Sequence, residues 1–223
     1  MPTAEGARFL PHARALLETA QRALAVLTAR RLVVGAASNP GIYLLPPYLS
    51  EREELRIGTN PDTVERLASG AVDLAITEWW DGRQGFEVHA WRDEPMVGIV
   101  PPSHPFACAG PVPLARFLAE PLIGGEPGTG TGRLLVEALG QDASPLRIVR
   151  VMGSTEGVKR AVAAGLGVSV VLACAVRDEV KAGTLVAVPL SGPALRRRML
   201  AVLPEGLPPT APQRRFLARL GIA

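Results

Sequence analysis

Lysine is almost missing from this chain: of its 24 basic side chains only Lys159 and Lys181 are lysines, and the rest are arginine. The arginine excess explains a pI of 9.3 beside a formal net charge of only +3. So small a net charge leaves no polybasic footprint and argues against bulk electrostatic capture of nucleic acid. Cysteine is as scarce. Cys108 and Cys174 are too few for a disulfide framework or a Cys-rich zinc site, and both are expected as small buried hydrophobes in a reduced, cytoplasmic setting. The three histidines, His12, His89 and His104, stand at no motif spacing to Ser, Cys or a carboxylate, and no HExxH occurs. Neither a catalytic residue, a metal site nor a cofactor is expected. No run approaches the roughly 18 apolar residues of a membrane span. The opening MPTAEGARFLPHARALLE lacks the basic cap and apolar run of an export signal. Hydrophobic residues at 48% against 20% charged exclude a disordered chain.

The first thirty residues carry a heptad seam. Leu10, Ala13, Leu17, Ala20, Leu24 and Leu27 recur at spacings of three and four, Leu16 and Ala23 widen the stripe, and Arg8, Arg14, Glu18 and Arg22 lie off it. Thr3 is placed to cap this helix, and Pro11 is expected to bend its first turns or mark where it becomes regular. A long helix with one apolar face and no core of its own needs a partner. The expectation is the same helix of a second chain, giving a homodimer or higher homo-oligomer.

From Arg31 onward short β-branched runs alternate with helical stretches. Strands are expected at 32–36, 55–58, 72–76, 96–100, 121–125, 147–152, 168–172, 184–188 and 198–203, with helices at 42–49, 62–69, 114–118, 130–139, 155–164, 173–181 and 211–220. The alternation predicts parallel sheets of βαβ units. Nine strands are many for one sheet, and Pro101-Pro102 makes a natural break, so two small α/β lobes are expected.

Three strand-to-helix junctions carry the chemistry. Ala37-Ser38-Asn39-Pro40-Gly41, Glu126-Pro127-Gly128-Thr129-Gly130-Thr131-Gly132 and Gly153-Ser154-Thr155-Glu156 each set hydroxyls and free N–H groups at a helix start, where the dipole favours an anion. For Ser154-Thr155 plain capping suffices. The glycine-rich turn offers more, because closely spaced glycines let backbone amides approach a ligand. It is no nucleotide motif: Thr131 stands where GxxxxGK[ST] needs lysine, and Arg133 where GxGxxG needs its last glycine. Trp79-Trp80 are expected to pack over a loop or an interface, and Glu78 to be a solvated strand end.

YLLPPYL, NPDTVERLASGAVDLAI, VPPSHPFA, EPLIGGEPGTGTGRLLVEAL and above all GSTEGVKRAVAAGLGVSVV follow one another as in the effector-binding domain of LysR-type transcriptional regulators, which the chain resembles over nearly its whole length. The opening PTAEGARFLPHARALLETA resembles that family's linker helix. The resemblance implies an α/β, periplasmic-binding-protein type II fold of two lobes whose hinge the chain crosses twice. Residues 1–30 would be the linker and dimerisation helix, 31–100 and 200–223 lobe I, and 101–199 lobe II. It further implies a small anionic effector in the cleft between lobes, met by Ser38, Asn39, Gly128, Thr129, Gly130 and Thr131, with Ile99 and Val100 near the hinge. DNA would be reached only through a helix-turn-helix domain not contained in these residues. Two further departures from the family pattern are a short 47–59 segment and Gly125 in place of a charged or bulky residue. The function expected is ligand sensing, not catalysis; the alternative is an autonomous solute-binding protein of the same fold.

Overall fold

The computed structural model describes residues 3–27, 31–125, 130–140 and 146–222. The chain divides into two compact units, one of Met1–Arg92 with Met199–Ala223 and one of Asp93–Arg198.

In the first unit, helix α1 (Ala4–Leu27) keeps Pro11 inside an unbroken run, and Thr3 Oγ1 accepts from Gly6 N at 3.1 Å. In the described part of the seam Leu16 and Leu17 are 68% and 64% exposed and Ala13 is half-buried, so these two leucines find no full cover among the described residues. The side chains of Leu10, Leu24 and Leu27 lie outside the described residues.

The sheet of this unit is built around β1 (Leu32–Ala37), which is buried at every position, as a central strand covered on both faces must be. It pairs in parallel with β2 (Glu53–Gly58) and β3 (Leu74–Thr77). Alternation along β1 sorts its side chains between two cores. Leu32, Val34 and Ala36 pack with Ile76, Leu203 and Phe216, the last from helix α7 (Pro212–Arg219). Val33 packs with Val72, Ala75, Val202 and Leu67 of helix α2 (Asn60–Ala68). Strand β11 (Arg196–Pro204) then runs antiparallel to β3, with Ala201 opposite Ile76. The sheet is therefore mixed, not parallel as the helix–strand alternation predicts, because the chain comes back to this unit from the opposite direction.

The helix expected at 42–49 is replaced by a π-helical turn (Pro40–Leu44) and a 3-10 turn (Pro46–Tyr48). Pro46 and Pro47 lack the N–H groups that would extend an α-helix. Strand β4 (Phe86–Val100) begins ten residues earlier than its apolar segment suggests; its first part is half-exposed and mixes charged with apolar residues.

The second unit holds β5 (Val112–Pro113), helix α3 (Leu114–Leu118), β6 (Leu122–Ile123), helix α4 (Gly130–Leu139), β7 (Ile148–Arg150), helix α5 (Thr155–Ala163), β8 (Ser169–Leu172), helix α6 (Arg177–Ala182), β9 (Val186–Val188) and β10 (Leu190–Ser191). The late part of β4 pairs antiparallel with β8 and β9, while β6 pairs in parallel with β7. Ile99, Ile123, Val158, Val162, Val171 and Leu185 form the core. Cys174 is buried as expected, but Cys108 is exposed, at the end of a one-turn 3-10 helix whose inward position is taken by Phe106.

Candidate functional site

The carboxyl ends of β1, β2 and β3 lie side by side, the edge of an open α/β sheet where ligands characteristically bind. The chain leaves β1 at Ser38, whose Oγ donates to the Gly58 carbonyl at the end of β2, 2.9 Å away. Asn39 Nδ2 donates to Glu78 Oε1 at 2.9 Å, and Glu78 N donates to Asn60 Oδ1 at 2.9 Å. Close packing sets this corner. A Cβ on Gly41 would lie 2.8 Å from Ile57 Cγ1 and 3.1 Å from Ala36 Cβ, so only glycine lets the turn press onto β1 and β2. Asn39 makes no capping bond to the turn that follows it, because its amide is directed to Glu78. Glu78 is thus a partner in the corner and not a solvated strand end. Trp80 stacks edge-on against Phe86, ring centroids 5.2 Å apart, and the Arg83 guanidinium lies over the Trp80 ring, 5.9 Å from its centroid.

The second unit has a separate polar corner. After β6, Gly124 and Gly125 adopt φ values of +71° and +73° and turn the chain toward α4. Gly128 and Thr129 lie outside the described residues. Gly130 and Thr131 open α4, both half-buried, where the first N–H groups of the helix have no intrahelical acceptor. The Arg197 guanidinium of β11 lies against Gly130. A Cβ built on Gly130 would sit 3.3 to 3.4 Å from Arg197 Nη2, Cζ and Nη1. Ile99 and Val100 are both fully buried, so neither side chain presents a surface to a ligand. Ser154 does what capping requires: its Oγ accepts from Gly157 N at 3.1 Å.

A family model described as the LysR substrate binding domain matches residues 26–221. The chain belongs to this LysR family. The LysR chain is 46% identical over 139 residues to a protein provisionally named HTH-type transcriptional regulator PtxE from Stutzerimonas stutzeri, covering 58% of this chain and 71% of that one. It is 31% identical over 223 residues to the HTH-type transcriptional regulator CbbR of Sinorhizobium medicae, covering 91% and 69%. Its fold matches the regulatory domain of CcmR from Synechocystis PCC6803, solved in complex with 2-PG, with a TM-score of 0.74, 22% identity and coverage of 85% and 95%. The architecture is accordingly the α/β, periplasmic-binding-protein type II fold of LysR effector-binding domains, and the chain is a ligand-binding domain of transcription regulation, not an enzyme.

Two members of the LysR domain's polar corners escape sequence reasoning. Arg197 lies 67 positions after Gly130 inside an Arg196-Arg197-Arg198 run, and nothing local distinguishes the one that turns toward α4. Its neighbour Arg198 instead pairs with Asp93 at 3.0 Å. Alternation along β11 is the available signal, since it places Arg197 on the opposite face from Arg196 and Arg198. Glu78 is visible only through its contact with Asn39. Among the described residues no cluster of three or more metal-ligating side chains occurs, and no helix is long and apolar enough to cross a membrane.

Proposed function

We propose that this LysR domain senses a small anionic metabolite, with the acid group of the effector taken by the Gly130 and Thr131 amides, the Thr131 hydroxyl and the Arg197 guanidinium. The observation that carries the reading is Arg197 against the first residue of α4. A guanidinium beside helix N-terminal amides, which lack intrahelical acceptors, combines charge with fixed donors, the arrangement that favours carboxylate or phosphate. Gly128 and Thr129, which precede Gly130 in the sequence, are proposed as further donors to the same group. Ser38 and Asn39 supply the first unit's contacts, and because Asn39 is held by the Glu78 carboxylate, that corner suits the hydroxyl or amine end of an effector better than its charge. The remaining roles proposed are a cytoplasmic homodimer formed through α1 and DNA contact through a helix-turn-helix segment outside residues 1–223.

A thermal-shift screen of metabolite acids, with 2-PG among the first, tests this. An effector at about a hundred times its Kd raises stability by about 2.7 kcal/mol. Arg197→Gln and Thr131→Ala should each weaken binding about tenfold to a hundredfold, since a charge-assisted hydrogen bond contributes about 1.5–3 kcal/mol. An effector that binds both variants as tightly as the parent refutes the assignment.

A further inference from the structure

At the other end of β1 the first unit contains a cavity of ≈ 590 Å³, and its lining is dominated by arginine. Arg31 precedes β1, Arg52 precedes β2, and Arg215 and Arg219 project from α7; among the described residues Glu51 and Glu53 are the only acids of the lining. Glu53 is already committed. Its Oε1 accepts from Arg219, and its Oε2 accepts from Ser50 N at 2.8 Å and Ser50 Oγ at 2.7 Å. Burial alone would push this carboxyl up, but the bonds from Arg219 and Ser50 outweigh it and hold the group below its usual value, so its charge is fixed and spent on Arg219. Arg31, Arg52 and Arg215 then face the cavity from three separate chain segments, with the exposed Glu51 as the one counter-charge left.

We infer that this cavity is a second anion site, taking a compact dianion such as a phosphate monoester or a dicarboxylate. Guanidinium forks match both groups in bidentate geometry, and three of them converging exceed what Glu51 can neutralise. The site is distinct from the proposed effector corner, because β1 separates Arg31 from Ser38 by six strand residues, about 20 Å at roughly 3.3 Å per residue. Its position also suggests its use. Arg31 follows the end of α1 by four residues, so an anion bridging Arg31, Arg52 and Arg215 ties the start of the sheet to α7 immediately after the N-terminal helix.

The test uses the full chain, with inorganic phosphate and malonate as probes titrated against chloride at constant ionic strength and followed by calorimetry and thermal shift. Saturable binding of phosphate, malonate or both is expected, and their ratio tells whether phosphate or dicarboxylate is preferred. Arg52→Gln combined with Arg215→Gln should weaken it at least tenfold; both positions are exposed, so the fold is undisturbed. In an Arg197→Gln background, which removes the guanidinium of the effector corner, saturable binding should persist and should still be weakened by the double substitution, which separates this site from the effector corner. Heat and stabilisation no greater than with chloride, equal binding by the double variant, or loss of binding in Arg197→Gln alone would each overturn the inference.

Discussion

Lys159 offers the sharpest energetic test of the second unit. It is buried, with a side chain 5% exposed, and its Nζ meets Glu156 Oε1 at 2.5 Å, Glu179 Oε1 at 2.7 Å and the Ala175 carbonyl at 2.9 Å. One ammonium thereby fastens α5 to the 3-10 turn Ala173–Val176 and to α6. Lys159→Met keeps most of the stem volume and removes the charge. Glu156 is 47% exposed and can turn to water, but Glu179 is only 25% exposed, and its Oε2 is buried with no hydrogen-bond partner among the described residues. The loss should lie near the low end of the 3–5 kcal/mol typical of breaking a buried pair, about 3 kcal/mol. For a chain of this size that lowers Tm by roughly 6–12 °C, at 2–4 °C for each kcal/mol. Adding Glu179→Gln removes the stranded charge and should recover part of the loss. Urea unfolding followed by circular dichroism measures both. A cost below about 1 kcal/mol for Lys159→Met, or no recovery in the double variant, refutes the account of Lys159 as a charge clamp.

Acid should destabilise the first unit. Hydrogen bonds from Arg83 hold Asp81 low, those from Arg214 and then His89 hold Glu87 low, and Glu53 is low despite burial because of Arg219 and Ser50. Their folded values lie below the unfolded ones, so the stability is fully present above about pH 4.5 and is lost as pH falls through the folded values; urea midpoints that stay level from pH 6 to pH 3 contradict this. Gly98→Ala places a methyl 2.6 Å from Phe117 Cε2 in a fully packed region, and overpacking of this kind costs roughly 1–3 kcal/mol, read as a lower denaturant midpoint. Light scattering on a chain beginning at Arg31 should show a monomer at concentrations where the full chain is a dimer, since the exposed Leu16 and Leu17 lose their cover; equal dimerisation by both rules α1 out.

The helices with strong local signals were legible to the residue or nearly so. Gly130–Leu139 and Leu114–Leu118 follow from apolar periodicity bounded by glycine or proline, and α5 from Ser154 capping the Thr-Glu-Gly start. Strand direction was not legible, because it depends on where the chain returns: β11 enters beside β3 from the opposite side, and β8 and β9 run against β4. The early part of β4 was hidden because a half-exposed strand need not look apolar. In the candidate site the glycine-rich turn and Ser38-Asn39 could be read from residue chemistry, whereas Glu78 and Arg197 join them only through long-range packing. The burial of Ile99 and Val100 was equally out of reach, since MVGIV reads alike on either face of a strand.

The first unit is written in two pieces of sequence, and its second piece supplies β11, which stands between β3 and β4, together with α7. During synthesis the residues that complete this sheet leave the ribosome only after the whole contiguous second unit has been made. A nascent chain therefore has every residue of Asp93–Arg198 while the earlier unit still lacks Ala201, Leu203 and Phe216 from its core. Domains fold as units once their chain is available, so the order of folding is reversed relative to the order of the sequence, and a stop codon anywhere before Met199 leaves the first unit without an interior strand.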